Sequence, residues 1–247
     1  MPIGTANFYD DRFFDDQREE SSRSAAVVVP LVHEILSSRS VLDVGCGIGP
    51  WIQAWMQLGV TDVVGVDGPY VSQEQLLMPT QSYLAADLTR PLDLGRQFDL
   101  VSCLEVAEHL DATYAATLLD SLTRHGDVVL FSAAVPGQPG THHVNCAWPS
   151  HWVKLFGEKG WQVLDILRGA LWNDERVGWC YRQNLLLFVG PGRRGLLSLK
   201  ATDGSSMPLN VAHPGLIEEL TRPQGVRFQT RAWLREARWS ISQKLSR

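Results

Sequence analysis

One turn constrains this chain more than any other feature: V-L-D-V-G-C-G-I-G-P-W, residues 41–51. An apolar, strand-forming run enters it, and a helix-forming run leaves it at Pro50. Gly45, Gly47 and Gly49 let the backbone turn tightly and let a ligand come close. In an open α/β sheet such a turn sits at the carboxyl end of a strand, where ligands bind near the reversal of strand order. A dinucleotide fingerprint, Gly-x-Gly-x-x-Gly, would need glycine where this chain has Pro50. The shorter Gly-x-Gly-x-Gly is complete, so the neighbouring residues must name the ligand.

The rest of the chain supplies the sheet. Apolar runs predict strands over 41–45, 62–67, 83–86, 98–104, 127–133, 161–167 and 184–190. Helices are expected over 24–36, around Pro30, and over 50–58, 71–77, 112–122 and 149–160. Near-continuous apolar strands alternating with helices mean a mostly parallel α/β sheet covered on both faces. The late strands lack a full helix between them and predict an antiparallel edge. Residues 1–22, with Phe8, Tyr9, Phe13 and Phe14, read as an arm or lid, and 23–190 as one domain. Residues 191–247 read as a Gly/Ser-rich linker and a basic tail, helical over 228–245.

Charge separates the two parts. The tail from Gly190 onward carries +6 and the body -11. An acidic body argues against a broad nucleic-acid surface. Cys46, Cys103, Cys146 and Cys180 form no C-x-x-C pair, so disulfides and zinc knuckles are not expected. A reducing, cytoplasmic setting follows, with no signal peptide and no membrane span.

Two carboxylates extend the glycine turn. Asp67, before Gly68, closes the second strand, where a carboxylate can accept both ribose hydroxyls of a nucleotide-like ligand. Asp87, before Leu88, follows the third strand, within reach of an adenine amino group. Each also suits an ordinary turn after a strand. Glycines, Asp67 and Asp87 at successive strand ends make a composite signal.

These residues resemble the class I S-adenosylmethionine-dependent methyltransferases. V-L-D-V-G-C-G-I-G resembles their motif I, V-V-G-V-D motif II, A-A-D-L motif III, and F-D-L-V-S-C-L-E-V-A-E-H-L (98–110) their fourth-strand motif. The resemblance implies a Rossmann-like seven-stranded sheet with an antiparallel last strand and S-adenosylmethionine as methyl donor. Carried over by motif, Asp43, Gly45 and Gly47 would line the methionine part of the cofactor, and Cys46, Gly49, Gly68 and Glu105 are further cofactor-binding candidates. Asp67 would hold the ribose, and Asp87 and Leu88 the adenine.

Methyl transfer needs an acceptor atom held near the methyl group, and a hydroxyl acceptor usually needs a base or a metal as well. Glu105, Glu108 and His109 share one face if the turn after the fourth strand is helical. T-H-H-V-N (141–145) follows the fifth strand and brings His142 and His143. His143, His142, Glu105 and His109 are therefore the candidate catalytic residues. Glu105, Glu108, His109 and His143 are also candidate metal ligands. The Glu-x-x-Glu-His pattern is similar to one in small-RNA terminal 2′-O-methyltransferases, where it supports a metal, but many relatives carry it without one. A metal is therefore not favoured. Residues 140–156 also resemble a His-x-Asn-Glu-Gln-Trp-Pro run of bacterial methyltransferases, departing at Cys146, Ala147 and His151.

No Asn-Pro-Pro-Tyr type motif follows the fourth strand, which disfavours methylation of base amino groups. The expected activity is methyl transfer to an oxygen of a small molecule, such as a natural product or a saccharide. Trp148, Trp152, Trp172 and Trp179 are candidate walls for that acceptor. The alternatives are a metal-dependent RNA ribose 2′-O-methyltransferase and a non-catalytic cofactor-binding partner protein.

Overall fold

Seven short strands, most of them buried, line up in one sheet. The computed structural model describes residues 11–199 and 207–221. The strands are β1 (Ser40–Val44), β2 (Asp62–Asp67), β3 (Tyr83–Ala85), β4 (Leu100–Leu104), β5 (Val128–Ser132), β6 (Gln162–Leu164) and β7 (Leu186–Val189). Their order is β3-β2-β1-β4-β5-β7-β6. β3, β2, β1, β4 and β5 pair in parallel, with Leu42 facing Val64 on one side and Val101 on the other. β7 inserts between β5 and β6 and runs antiparallel to both, as the lack of a full-length helix between the late strands predicts. The strand order turns back between β1 and β4, which opens a crevice at their carboxyl ends.

Alternate residues of each strand feed opposite faces of the sheet. Val41, Leu100 and Leu130 join one core with helices α1 (Asp11–Leu36) and α2 (Pro50–Gln57). Leu42, Val101 and Phe131 join the other with α3 (Ala115–Arg124) and α4 (Pro149–Glu158). Helix α1 buries Ala25, Val28, Val29 and Val32, one stripe at helical spacing. Pro30 lies on its exposed side, so the helix runs through it.

Four expectations are corrected, the first being the helix expected over 71–77, which is only a 3-10 turn at Gln73–Gln75. Helix α1 begins at Asp11 rather than near Ser24, so residues 11–22 are not an extended arm. The strand expected over 161–167 shortens to Gln162–Leu164, and two short helices, α5 (Arg168–Leu171) and α6 (Trp179–Asn184), follow it. Residues 207–221 are not linker: they dock on the body and end in α7 (Pro214–Thr221), with His213 and Leu216 buried. The tail helix expected over 228–245, and Phe8 and Tyr9 of the arm, lie outside the described residues.

The fully buried Arg168 is what holds that segment down. Its guanidinium pairs with Asp165 and donates to the carbonyls of Gln183 (3.3 Å), Leu209 (3.0 Å) and Pro208 (3.1 Å). All four cysteines are free thiols. No helix among the described residues is long and apolar enough to cross a membrane.

Candidate cofactor and acceptor site

The glycine turn closes on β2 through its backbone. Gly45 and Cys46 donate to the Val66 carbonyl at 2.7 and 3.1 Å, and Gly47 donates to Asp67 Oδ2 at 2.6 Å. Gly45 has φ 82°, and a Cβ there would lie 2.3 Å from Val106 Cγ2, so the turn has room only for glycine. Gly49 leads directly into α2 with Pro50 in the first turn, a position Pro tolerates.

Asp67 is the turn's second wall. Besides Gly47 it accepts from the Gly68 amide at 2.6 Å and the Tyr70 hydroxyl at 2.5 Å. Burial raises its carboxyl above the ordinary value, against these three donors. Tyr70, which the sequence reading missed, lies with its ring against Gly68. Its signal was V-D-G-P-Y, an aromatic three residues past the acid. Asp87 sits differently. Its carboxylate is exposed and turned back on Thr89, whose amide and hydroxyl donate at 3.0 and 2.6 Å, with Arg90 at 3.4 Å. Thr89 lowers its carboxyl below the ordinary value. Leu88 is half-buried beside it.

Asp43, at the end of β1, is 2 % exposed. Its Oδ1 accepts from Ser102 Oγ at 2.6 Å, while Oδ2 has no hydrogen-bond partner. Burial pushes its carboxyl up to about 7, with the Asp67 charge adding to the rise against the Ser102 bond. The folded state therefore holds this proton more tightly than the unfolded chain, whose value is 3.8. Stability from Asp43 is greatest at low pH and is lost as pH rises from about 4 through about 7. Asp43→Asn is expected to match the wild type near pH 4 and to exceed it at pH 8 by on the order of 4 kcal/mol. Urea unfolding at the two pH values measures this, and equal stabilities at pH 8 would contradict it.

The acceptor end is built from the tips of β4 and β5. The spacing predicts a helical turn over 105–109; instead Glu105 is left-handed, φ 53°, and a single 3-10 turn spans Ala107–His109. That geometry turns Glu105 toward Gln138 and Asn184, while its carboxyl still meets that of Glu108. The Glu105 carboxylate accepts from Gln138 Nε2 at 2.6 Å and Asn184 Nδ2 at 3.2 Å, and Asn184 also donates to Gln138 Oε1 at 3.0 Å. Burial raises the Glu105 carboxyl, while Ser132, the two amides and Glu108 draw it back down. Glu108 is fully buried and neither carboxyl oxygen has a hydrogen-bond partner of normal geometry. Burial and the neighbouring Glu105 charge drive it well above the ordinary value.

The loop after β5 is pinned against this turn. Val144 and Asn145 amides donate to the Glu108 carbonyl at 2.8 and 3.0 Å, and Asn145 Nδ2 donates to the Ala107 carbonyl at 3.3 Å. His143 is thereby set edge-on to His109, ring centroids 5.0 Å apart. A Cβ on Gly140 would lie 2.1 Å from His143 Nε2, so the ring rests on that glycine. Burial, with help from His143, pushes His109 down to about 4, and burial lowers His143 as well. Both rings are neutral at pH 7. His142 stands on the same loop in a left-handed, exposed conformation, φ 57°. Of the tryptophans, Trp148 stays at the surface, but Trp152 is core, which corrects its place as an acceptor wall.

A shallow cleft at the opposite end of the sheet, beside Phe98 and Arg193, is not a second site. Its carboxylates brace backbone: Asp99 accepts from the Arg39 and Ser40 amides, and Asp127 from Gly192.

The fold and the glycine turn together define a class I S-adenosylmethionine-dependent methyltransferase. The chain belongs to the methyltransferase-domain family, whose model matches residues 15–165. It is 25% identical over 194 residues to a mitochondrial ubiquinone biosynthesis O-methyltransferase of Dictyostelium discoideum, covering 62% of this chain and 59% of that one. It is 33% identical over 140 residues to a ribosomal protein L11 methyltransferase of Laribacter hongkongensis, covering 55% and 46%. The chain thus spans about half the length of these curated relatives. The solved sugar N-methyltransferase KedS8 of Streptoalloteichus shares the fold, with a TM-score of 0.57 and 18% identity over 77% of this chain and 98% of that one.

S-adenosylmethionine is the cofactor, and the residues present suit it. The turn is a cradle that a Cβ at Gly45 would fill, Asp67 offers a carboxylate beside it, and Asp43 Oδ2 is a buried acceptor in want of a donor.

Proposed function

We propose that the protein transfers a methyl group to an oxygen of a small molecule, a natural product or a saccharide. S-adenosylmethionine supplies the methyl group on a sulfonium sulfur. The observation that carries the reading is the His109–His143 pair beside buried Glu108, set at the tips of β4 and β5. β4 neighbours β1, so this pair and the glycine turn open on one end of the sheet.

In this reading Asp43, Gly45, Cys46, Gly47 and Gly49 hold the methionine part of the cofactor. Asp67 and Gly68 hold the ribose, and Asp87 and Leu88 border the adenine. Glu105, held by Gln138 and Asn184, lies between cofactor and acceptor. His143 and His109 activate the acceptor hydroxyl, with His142 at the rim. Oxygen is favoured over nitrogen because carboxylates and neutral imidazoles crowd this end, groups that serve to remove a hydroxyl proton. The O-methyltransferase relative from Dictyostelium supports the same choice.

His143→Ala is expected to lower turnover roughly 10²-fold or more, the scale of a lost acid–base group. Its affinity for S-adenosylhomocysteine should stay within about twofold of the wild type, since the ring is not part of the cofactor turn. A screen of phenols and sugar hydroxyls with labelled S-adenosylmethionine supplies the acceptor. Unchanged turnover in His143→Ala on that acceptor would remove this ring from the site.

A further inference from the structure

Glu108, His109 and His143 bring one ligand atom each within 4.8 Å of one another. Three features make this more than a chance cluster. Glu108 is fully buried, its carboxyl oxygens have no hydrogen-bond partner of normal geometry, and the side chain beside them is another acid, Glu105. A buried polar group left in that state is costly unless a ligand completes it. His143 Nδ1 lies 3.1 Å from the Gln138 carbonyl. That bond makes Nδ1 the donor and leaves the Nε2 lone pair for a ligand, the arrangement that orients metal-bound histidines. The Glu108 carbonyl, meanwhile, holds the amides of Val144 and Asn145, so the loop carrying His143 is tied to the residue carrying the carboxylate.

We propose that these three side chains form a binding site for a divalent transition-metal ion. The donor set is two imidazoles and one carboxylate, which favours zinc, cobalt, iron or manganese over magnesium. Three protein ligands leave coordination positions open for an acceptor oxygen or water. Glu105 is not a ligand, although the Glu-x-x-Glu-His spacing pairs it with Glu108. Its oxygens accept from Gln138 Nε2 and Asn184 Nδ2, and it is not among the side chains whose ligand atoms converge. The ion would lower the barrier to losing the acceptor's proton, and His109 and His143 would then act as its ligands. This deepens the proposed function, but metal binding can be read without any turnover.

The test is cobalt(II) titration into chelator-treated full-length protein, followed by visible absorption and calorimetry. The wild type should bind one ion saturably, with a ligand-field spectrum that zinc abolishes. Glu108→Gln and His143→Ala should lose the spectrum and the saturable binding, and Glu105→Gln should keep both. Glu108→Gln is nearly isosteric, and His109→Ala is a second route if its fold, followed by circular dichroism, is disturbed. No saturable binding in the wild type, or binding that survives in Glu108→Gln and His143→Ala, would overturn the site. Loss in Glu105→Gln equal to that in Glu108→Gln would overturn the three-ligand assignment. S-adenosylhomocysteine binding and methyl transfer in metal-free protein are measured alongside. If both persist without a metal site, this inference fails while the proposed function stands.

Discussion

Gly45→Val is expected to abolish cofactor binding and to lower the thermal midpoint of the protein. Two costs fall on the same atom. The backbone at Gly45 is left-handed, φ 82°, which costs a side-chain-bearing residue about 1–2 kcal/mol. Its first side-chain carbon would sit 2.3 Å from Val106 Cγ2 and 2.8 Å from Cγ1. Such overpacking costs about 1–3 kcal/mol more. Val106 cannot step aside cheaply, because it follows Glu105 at the tip of β4 and Glu105 is bonded to Gln138 and Asn184. The turn itself must yield, and with it the Gly47 amide that meets Asp67. A ligand at 100 times its Kd stabilises a folded protein by about 2.7 kcal/mol. In the wild type S-adenosylhomocysteine should therefore raise the thermal midpoint visibly, and in Gly45→Val it should not. A variant whose midpoint still rises with the ligand would show that the turn is not the cofactor's cradle.

Arg168→Met should destabilise the protein by about 3–5 kcal/mol, the usual cost of removing one partner of a buried ion pair. The guanidinium meets Asp165 and three backbone carbonyls from two separate stretches of chain. Methionine fills much of the volume but satisfies none of these oxygens. The effect should reach the site as well. Gln183, whose carbonyl Arg168 holds, accepts the His213 amide at 2.7 Å and donates to Asn184 at 2.9 Å. Asn184 in turn holds Glu105. Hydrogen exchange should show faster exchange at His213 and across α6, and urea unfolding should show the loss of stability. A loss below about 1 kcal/mol would mean that the 207–213 stretch docks by other contacts.

The sheet was legible because its strands are short apolar runs and the helices between them keep helical spacing. The glycine turn marked β1 and α2, and Asp67 marked the end of β2. The lack of a full-length helix before β7 marked the antiparallel edge. Helix α1 was harder to see at its start, because residues 11–23 are polar and acidic and show no apolar stripe. The docking of 207–221 was hidden for a different reason. It depends on Arg168, forty residues away, and a single buried arginine leaves no periodic signal.

At the site, the residue types were legible and their partners were not. Glu108, His109 and His143 were found from spacing after two strands, and the structure brings them together. Glu105 was grouped with them on the assumption of a helical turn, which its left-handed backbone breaks. Gln138 and Asn184, which claim its carboxylate, are ordinary polar residues in sequence and meet it only through the β4-β5-β7 adjacency. Tyr70 was missed because an aromatic after a turn is commonplace, and only its hydroxyl on Asp67 distinguishes it.

The central claim is that one end of the sheet holds two adjoining parts, a cofactor cradle at β1 and β2 and an acceptor centre at β4 and β5. Calorimetric titration of S-adenosylhomocysteine into the wild type, Gly45→Val and His143→Ala tests it most directly. The account predicts saturable one-to-one binding in the wild type, the same affinity within about twofold in His143→Ala, and none in Gly45→Val. Absence of binding in the wild type, or equal binding in Gly45→Val, would contradict it.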